Sequence, residues 1–517
     1  MTRELVEFVM KQTSGPIDRW AVAATLESNG IRDLDARDRY GKDDVFGLAD
    51  EIYALCLAEQ AATPVPEPPV ARRARAVLIS RRYLRGGFFF VQLALQLGSL
   101  AVFGYAQWAS IDFTGRQASV VGLALLASFL LTGPASQGIG YVGSFFSEPG
   151  KHLLATRAVI AVVASGLLAL LAGAVGASLL DLGFGWYGHR LLGVGLAYYA
   201  LVGLLSLTGA LLYMLKQFLA MVVATVAGIG VVGLVLHQTS LGIYAAHWIG
   251  LGVGIAIEAT WAALVLQRRR ASTSTELRLA VMPPVPVLAL LVVPYGLYGF
   301  AYFGLLFVDR FAAWSAGAHG LPFTFRAPYE VGLDWALIAV VPALAMLEVT
   351  IFLFAERLEV LAGRFEIARV AEHNRELLRF RRRHFGYIVL LLLGGAAVAT
   401  GALRLLEHAH ATKVSGLFGD RTMLRVYALG LAGYALLVFG IFNSVFLFSL
   451  GRPWAVVRSL LPGVVVAAAV AFTLSRLYAY WTAAGGLVAG SLVFALLATA
   501  ATTRTLRTVD YHYFAAY

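Results

Sequence analysis

Four ionisable side chains interrupt long apolar stretches of the sequence: His247, Glu258, Asp334 and Glu348. A charge inside a membrane segment is expensive, so such residues line a polar path or close a buried hydrogen-bonded pair. On a helix advancing ~100° per residue, Asp334 and Glu348 fall within about 40° of one face, roughly 21 Å apart. His247 and Glu258 fall within about 20° of each other on another helix. The two stripes define a candidate substrate path, with Glu348 and Glu258 as its main contacts and Asp334 and His247 beside them. The competing expectation is that each residue fixes helix packing. Asn443 reads as interhelical glue, because amides bond across membrane helices.

Asp309, Arg310 and Trp314 follow another apolar stretch, at its outer end. They suit either an ion pair beside an interfacial aromatic residue or the wall of an external exit. Other motifs carry less. Asp33-Leu34-Asp35 resembles a metal-binding carboxylate pair, but it has no α/β nucleotide-binding domain around it and reads as a charged interhelical turn. Gly250, Gly252 and Gly254 lie inside an apolar helix rather than after a strand. No Walker loop is present. His408 and His410 form an incomplete ligand set in a loop. No nucleophile–base arrangement is recognisable. The chain is therefore expected not to be an enzyme and to need no cofactor or metal.

The elements that must hold these residues are membrane helices. Of 517 residues, 59% are hydrophobic and 14% charged, against roughly 25% charged in soluble domains. The fold class is all-α and polytopic. About 12 spans are expected, in two six-helix lobes. They read as 86–108, 118–144, 154–179, 191–214, 217–236, 243–267, 284–307, 332–355, 386–404, 424–448, 454–475 and 479–502. Each has about the 20 residues a bilayer needs. The weakest division is at Lys216 and Gln217. With the N-terminus inside, the internal segments hold 32 of the 41 Lys and Arg residues. That bias predicts a multi-pass protein of a bacterial cytoplasmic membrane with both termini cytoplasmic. The formal net charge of +11 follows from the same bias and implies no nucleic-acid partner.

The expected domains are a cytoplasmic helical segment (1–62), a Pro-rich linker with a basic juxtamembrane stretch (63–85), an N-lobe (86–267), a basic interlobe loop (268–283), a C-lobe (284–502) and a cytoplasmic tail (503–517). In the first, Leu5, Phe8 and Val9 have helical spacing, as do Phe46, Leu48, Ile52 and Leu55. Arg72, Arg73, Arg75, Arg81, Arg82 and Arg85 suit anionic headgroups of membrane lipids.

The stretches GLYGFAYFGLLFVDRFAAWSAG and APYEVGLDWALIAVVPALAMLEVTIFLFAERLEVLAGRF resemble the PelG family. These proteins resemble exporters of the Pel exopolysaccharide and belong to the flippase superfamily that includes MATE and Wzx transporters. The family pattern is matched by Asp309, Arg310 and Trp314, by Pro328, Tyr329 and Glu330, and by Pro342 and Glu348. Asp510 and Tyr511 match its terminal segment. Position 330 is Glu rather than Asp, and the first 85 residues differ from the family's short N-terminal segment. The resemblance implies export of an amino-sugar-rich polysaccharide, or its lipid-linked precursor, through a central polar cavity. It also implies a cytoplasmic glycosyltransferase (PelF) and membrane partners (PelD and PelE). Two other functions fit the superfamily or the topology. One is an ion-coupled multidrug antiporter; such exporters commonly carry an acid in the first helix, and here that helix has none after Arg85. The other is a membrane scaffold of a polysaccharide synthase complex.

Overall fold

The structure is a computed structural model that describes residues 2–13, 18–62, 72–147, 152–271, 283–317, 322–362, 370–409 and 418–509. The Pro-rich spacer, most of the basic loop 268–283, and Asp510 and Tyr511 lie outside the described residues. Those described are helical, with no β-strand and one isolated bridge between Tyr105 and Ser110. The chain divides into two compact units.

The first unit comprises Met1–Tyr83, Glu348–Gly386 and Thr503–Tyr517. It opens with four short helices: α1 (Thr2–Thr13), α2 (Arg19–Ser28), α3 (Asp33–Tyr40) and α4 (Val45–Ala62). Val9, Val22, Leu26, Leu48, Ile52 and Cys56 are fully buried at their centre. Phe46 and Leu55, expected on the same face as Leu48 and Ile52, are exposed instead. The charged stretch after Gly30 is helix α3 rather than a plain turn. Its Asp35 carboxylate accepts from the backbone N–H of Arg32, and Asp33 accepts from Val45 N–H. The Arg32 N–H, with the guanidinium and Arg39 beside it, holds the half-buried Asp35 carboxyl below the usual range. Short acidic side chains therefore cap turns here, which is the structural role their spacing allows.

Twelve long helices follow: α5 (Arg72–Phe103), α6 (Gly115–Ser147), α7 (His152–Phe184), α8 (His189–Met214), α9 (Phe218–Gln238), α10 (Ile243–Ala271), α11 (Val285–Trp314), α12 (Ala327–Ala362), α13 (Val370–Ala409), α14 (Arg421–Ser449), α15 (Pro453–Leu477) and α16 (Ala484–Arg507). Eleven are long and apolar enough to cross a bilayer. The two pieces of α5, Arg75–Phe88 and Phe90–Phe103, make a twelfth and meet at 49°. Each falls on a stretch read from the sequence as a span. The α8–α9 break is real: Lys216 has a positive φ of 62°, and Gln217 N–H closes the turn on Leu212 C=O at 2.8 Å.

Several helices run past their apolar stretch. Helix α13 begins at Val370, well before the span expected at 386. In its polar first half, Asn374, Leu377 and His384 are buried, while Arg375, Arg379, Arg382 and Arg383 are exposed. Asn374 Nδ2 bonds Arg507 C=O at 2.8 Å, and Arg381 bonds Thr503 Oγ1 at 2.7 Å. An amphipathic pattern of this kind keeps a helix ordered beyond the hydrocarbon.

In the second unit (Leu84–Leu347 and Tyr387–Thr502) α6 packs on α7, α8 and α11, α9 on α10, and α11 also on α15. The α6–α11 approach is close because both helices carry glycine there. A Cβ at Gly133 would sit 2.5 Å from Phe303 Cδ2, and one at Gly299 would strike the Gly133 carbonyl. Small residues let membrane helix backbones meet in this way. Asn443 bonds Thr499 Oγ1 at 3.0 Å, and Thr502 Oγ1 bonds Asn443 C=O at 3.0 Å, which ties α14 to α16.

Gly299→Ala should therefore lower the melting temperature of the detergent-purified protein, at a cost of about 1–3 kcal/mol for overpacking. Gly98, with nothing within 4 Å of an added Cβ, is the control. Gly98→Ala should leave the melting temperature unchanged or raise it, because Ala is the better helix former. Equal effects at both positions would remove the close approach as the cause.

Candidate functional site

Asp309, Arg310 and Trp314 were expected just beyond their helix. They form the last turns of α11 and are buried, at 0%, 5% and 1% exposure. The correction has a local cause. Thr324 N–H bonds Trp314 C=O at 2.8 Å and the Arg326 guanidinium bonds Ala316 C=O at 2.9 Å. Arg476, at the end of α15, adds bonds to Ala312 C=O and Ser315 Oγ at 2.9 and 2.7 Å. These donors satisfy the carbonyls at the C-terminus of α11, which a helix end otherwise leaves open. The helix can then continue through Trp314.

Glu330, in the first turn of α12, faces this end. Its Oε2 accepts from Arg310 Nε at 2.9 Å, and its Oε1 accepts from Trp314 Nε1 at 2.8 Å. Arg310 and Trp314 are four residues apart, so they reach one carboxylate from one side of α11. Position 330 is a departure from the resemblance, yet the longer Glu bridges both donors. Tyr329 turns the other way, and its hydroxyl donates to Asp309 Oδ2 at 2.8 Å. Arg310 also donates to Leu306 C=O at 2.7 Å and to Tyr434 Oη of α14 at 3.3 Å. Phe307 lies under its guanidinium at 5.7 Å. Asp309 Oδ1 is 3.8 Å from Arg310 but accepts no hydrogen bond. Asp334 lies within electrostatic reach of Arg310 and Glu330. One arginine thus stands among three carboxylates.

Five motif residues from two stretches of sequence therefore meet in one network. Tyr434 and Phe307 complete it. Neither was foreseen, since a single tyrosine 124 residues from Arg310 carries no spacing signal. Pro328 lies in the first turn of α12, where its missing N–H costs nothing. Pro342 lies in the helix interior.

The other expected residues stand elsewhere. His247 and Glu258 share a face of α10, as their spacing requires, and both meet α8. His247 Nδ1 is 2.7 Å from Tyr198 Oη, and Glu258 Oε2 accepts from Thr208 Oγ1 at 2.6 Å. Among the described residues, His247 Nε2 has no hydrogen-bond partner. Glu348 pairs with Arg82 at 3.8 Å, and that guanidinium also covers the Phe352 ring at 4.5 Å. Asp334 and Glu348 share α12 but have different partners. Two of the arginines expected to serve the lipid surface are also engaged by protein: Arg75 pairs with Glu356 at 3.6 Å, and Arg85 lies over Phe218 at 5.4 Å. Arg81 is exposed. Arg72 and Arg73 open helix α5.

No protein-family model matches the chain, and no curated protein matches it. Solved structures do. A multidrug resistance MATE family transporter of the MOP superfamily, in an outward-facing conformation, matches with a TM-score of 0.55 at 14% identity. A MOP superfamily transporter from Pyrococcus furiosus matches with a TM-score of 0.53 at 14% identity. A MATE protein in complex with MaD3S matches with a TM-score of 0.54 at 15% identity. Each match covers 84% of this chain and 96% of the other. The chain is thus an all-α, multi-pass membrane protein with the fold of these transporters.

Removing one partner from a buried ion pair costs about 3–5 kcal/mol. Arg310→Ala should accordingly reduce the yield of monodisperse protein sharply. Tyr329→Phe should cost about 1–3 kcal/mol, because it strands a buried carboxylate oxygen. Thermal melts in detergent check both. A variant at either position that melts with the wild type would show that the network does not hold α11 to α12.

Proposed function

We infer that this chain is a transporter that moves an amino-sugar-rich exopolysaccharide, or its lipid-linked precursor, across a bacterial cytoplasmic membrane. The observation that carries this reading is the network on α11 and α12. It is built from the residues that resemble the exopolysaccharide exporters: Asp309, Arg310, Trp314, Tyr329 and Glu330. A surplus of carboxylates suits a cargo rich in hydroxyls and amines, since both donate hydrogen bonds to carboxylate oxygens. On this reading both termini are cytoplasmic, as the basic segments favour, and the 1–62 helices face a cytoplasmic glycosyltransferase. Glu348 and Glu258 are further polar contacts for the cargo.

The second reading is an ion-coupled multidrug antiporter, favoured by the multidrug transporters among the structural neighbours. Against it stands the polar face of α5, which carries amides rather than an acid. Gln92 bonds Thr225 Oγ1 at 3.1 Å, and Gln96 bonds Gln107 at 3.0 Å.

Deleting the gene in its native host should abolish secreted polysaccharide and leave ethidium efflux unchanged. Glu348→Gln and Glu348→Ala, at normal membrane abundance, should each export less polymer than the wild type. Unchanged polymer on deletion, with slowed ethidium efflux, would decide for the antiporter. Wild-type export from both Glu348 variants would remove that residue from the route.

A further inference from the structure

Helix α11 carries aromatic rings along nearly its whole length. Tyr295, Tyr298 and Tyr302 lie within about 60° of one another on a helix of 3.6 residues per turn, and Asp309 continues their stripe. Phe303 and Phe307 form the adjoining stripe, which leads to Arg310 and Trp314. The rings touch in sequence. Tyr298 and Tyr302 are 6.0 Å apart, Tyr302 and Phe303 5.4 Å, and Phe303 and Phe307 5.6 Å. At the other end Tyr295 stacks on Tyr141 of α6, with centroids 3.8 Å apart and planes at 15°. Phe448 of α14 bridges Tyr295 and Tyr298, with centroids 5.4 and 5.0 Å away, so the row runs from Tyr141 through this ring to the guanidinium under which Phe307 lies.

Two features separate this row from ordinary core packing. First, four of its members are tyrosines, and a buried hydroxyl normally has a partner. Among the described residues, no hydrogen bond is made by the hydroxyls of Tyr298 and Tyr302. Second, the row lies at the seam where α6 meets α11. Tyr141 and Phe129 come from α6 and stack on Tyr295 and Phe303. The fold brings the first and second groups of six spans together along this seam, and the row ends at the carboxylate surplus of the candidate site.

Sugar rings present C–H faces that pack on aromatic faces and hydroxyls that bond at the ring edge. A line of tyrosines offers both, and successive, similar rings let a chain shift by one unit without a large barrier. Tyr295 is itself stacked between Tyr141 and Phe448 and closes the far end of the row. We propose that Tyr298 and Tyr302 of α11 form a stacking track for the sugar rings of the cargo, leading to Asp309. This rests on the saccharide reading above and adds to it the surface along which the saccharide moves.

The test uses the full-length protein in nanodiscs and a soluble 1,4-linked N-acetylhexosamine pentasaccharide as probe. Binding is measured by calorimetry for the wild type, Tyr302→Phe and Tyr302→Leu. The Phe variant keeps the ring and should bind within about threefold of the wild type. The Leu variant should bind roughly tenfold more weakly. In the wild type, where no variant has to fold, saturating pentasaccharide should slow nitration of Tyr298 and Tyr302 by tetranitromethane, read by peptide mass spectrometry. If the probe binds but neither the Leu variant nor the nitration rate responds, the track is wrong and the saccharide reading stands. If the wild type does not bind the probe, both fall. If tetraphenylphosphonium, and not the sugar, protects the tyrosines, the row serves a hydrophobic cation.

Discussion

Arg310 is the charge on which the arrangement of α11, α12 and α14 depends. A guanidinium keeps its charge at any pH a protein meets, and this one is only 5% exposed. It must therefore be surrounded by acceptors. Glu330 supplies a carboxylate, Leu306 a carbonyl, Tyr434 a hydroxyl and Phe307 a ring face. Two of these acceptors tie in another helix. Glu330 sets the first turn of α12 against the last turn of α11, and Tyr434 brings in α14. Trp314 shares the Glu330 carboxylate, which orients its indole over Gly122 of α6. One buried cation thus links three helices, and Trp314 beside it reaches a fourth.

Elsewhere the chain is held by two other means. Close to α6 and α11, missing side chains do the work: Gly133 and Gly299 let the backbones approach, and aromatic rings fill the space on either side. In the short N-terminal helices an apolar core excludes water, as in a soluble domain, and aspartates cap the turns. The difference follows from the solvent. Lipid gives apolar side chains no reason to leave it, so membrane helices rely on fit and hydrogen bonds. The N-terminal helices rely on burial. The overhanging ends of α5, α12 and α13 join the regimes, with ion pairs such as Arg82–Glu348 and Arg75–Glu356.

A fold does not fix a function, so the transport reading has to be argued from the site. Here the site combines an excess of carboxylates, a row of tyrosines and a first span whose polar groups are neutral amides. On the proposed reading each has its own part: charge for amines, rings for sugar faces, and amides in place of the acid expected of an ion-driven antiporter.

The membrane class, the number of spans and their order were legible in the residues, because a bilayer imposes its thickness on any helix that crosses it. The break at Lys216 was legible for the same reason. So was the shared face of His247 and Glu258, since helical periodicity fixes it. The motif residues Asp309, Arg310, Trp314, Tyr329 and Glu330 could be singled out, but not their depth. Whether α11 stops before Asp309 or runs through Trp314 depends on carbonyl partners such as Arg476, far away in sequence. Periodicity likewise put Phe46 and Leu55 with Leu48 and Ile52, and packing among four helices chose otherwise. Tyr434 had no signal at all. Local spacing decides what one helix can present; only the tertiary structure decides which presented groups meet, because a buried charge takes its partners from any part of the chain that folds within reach.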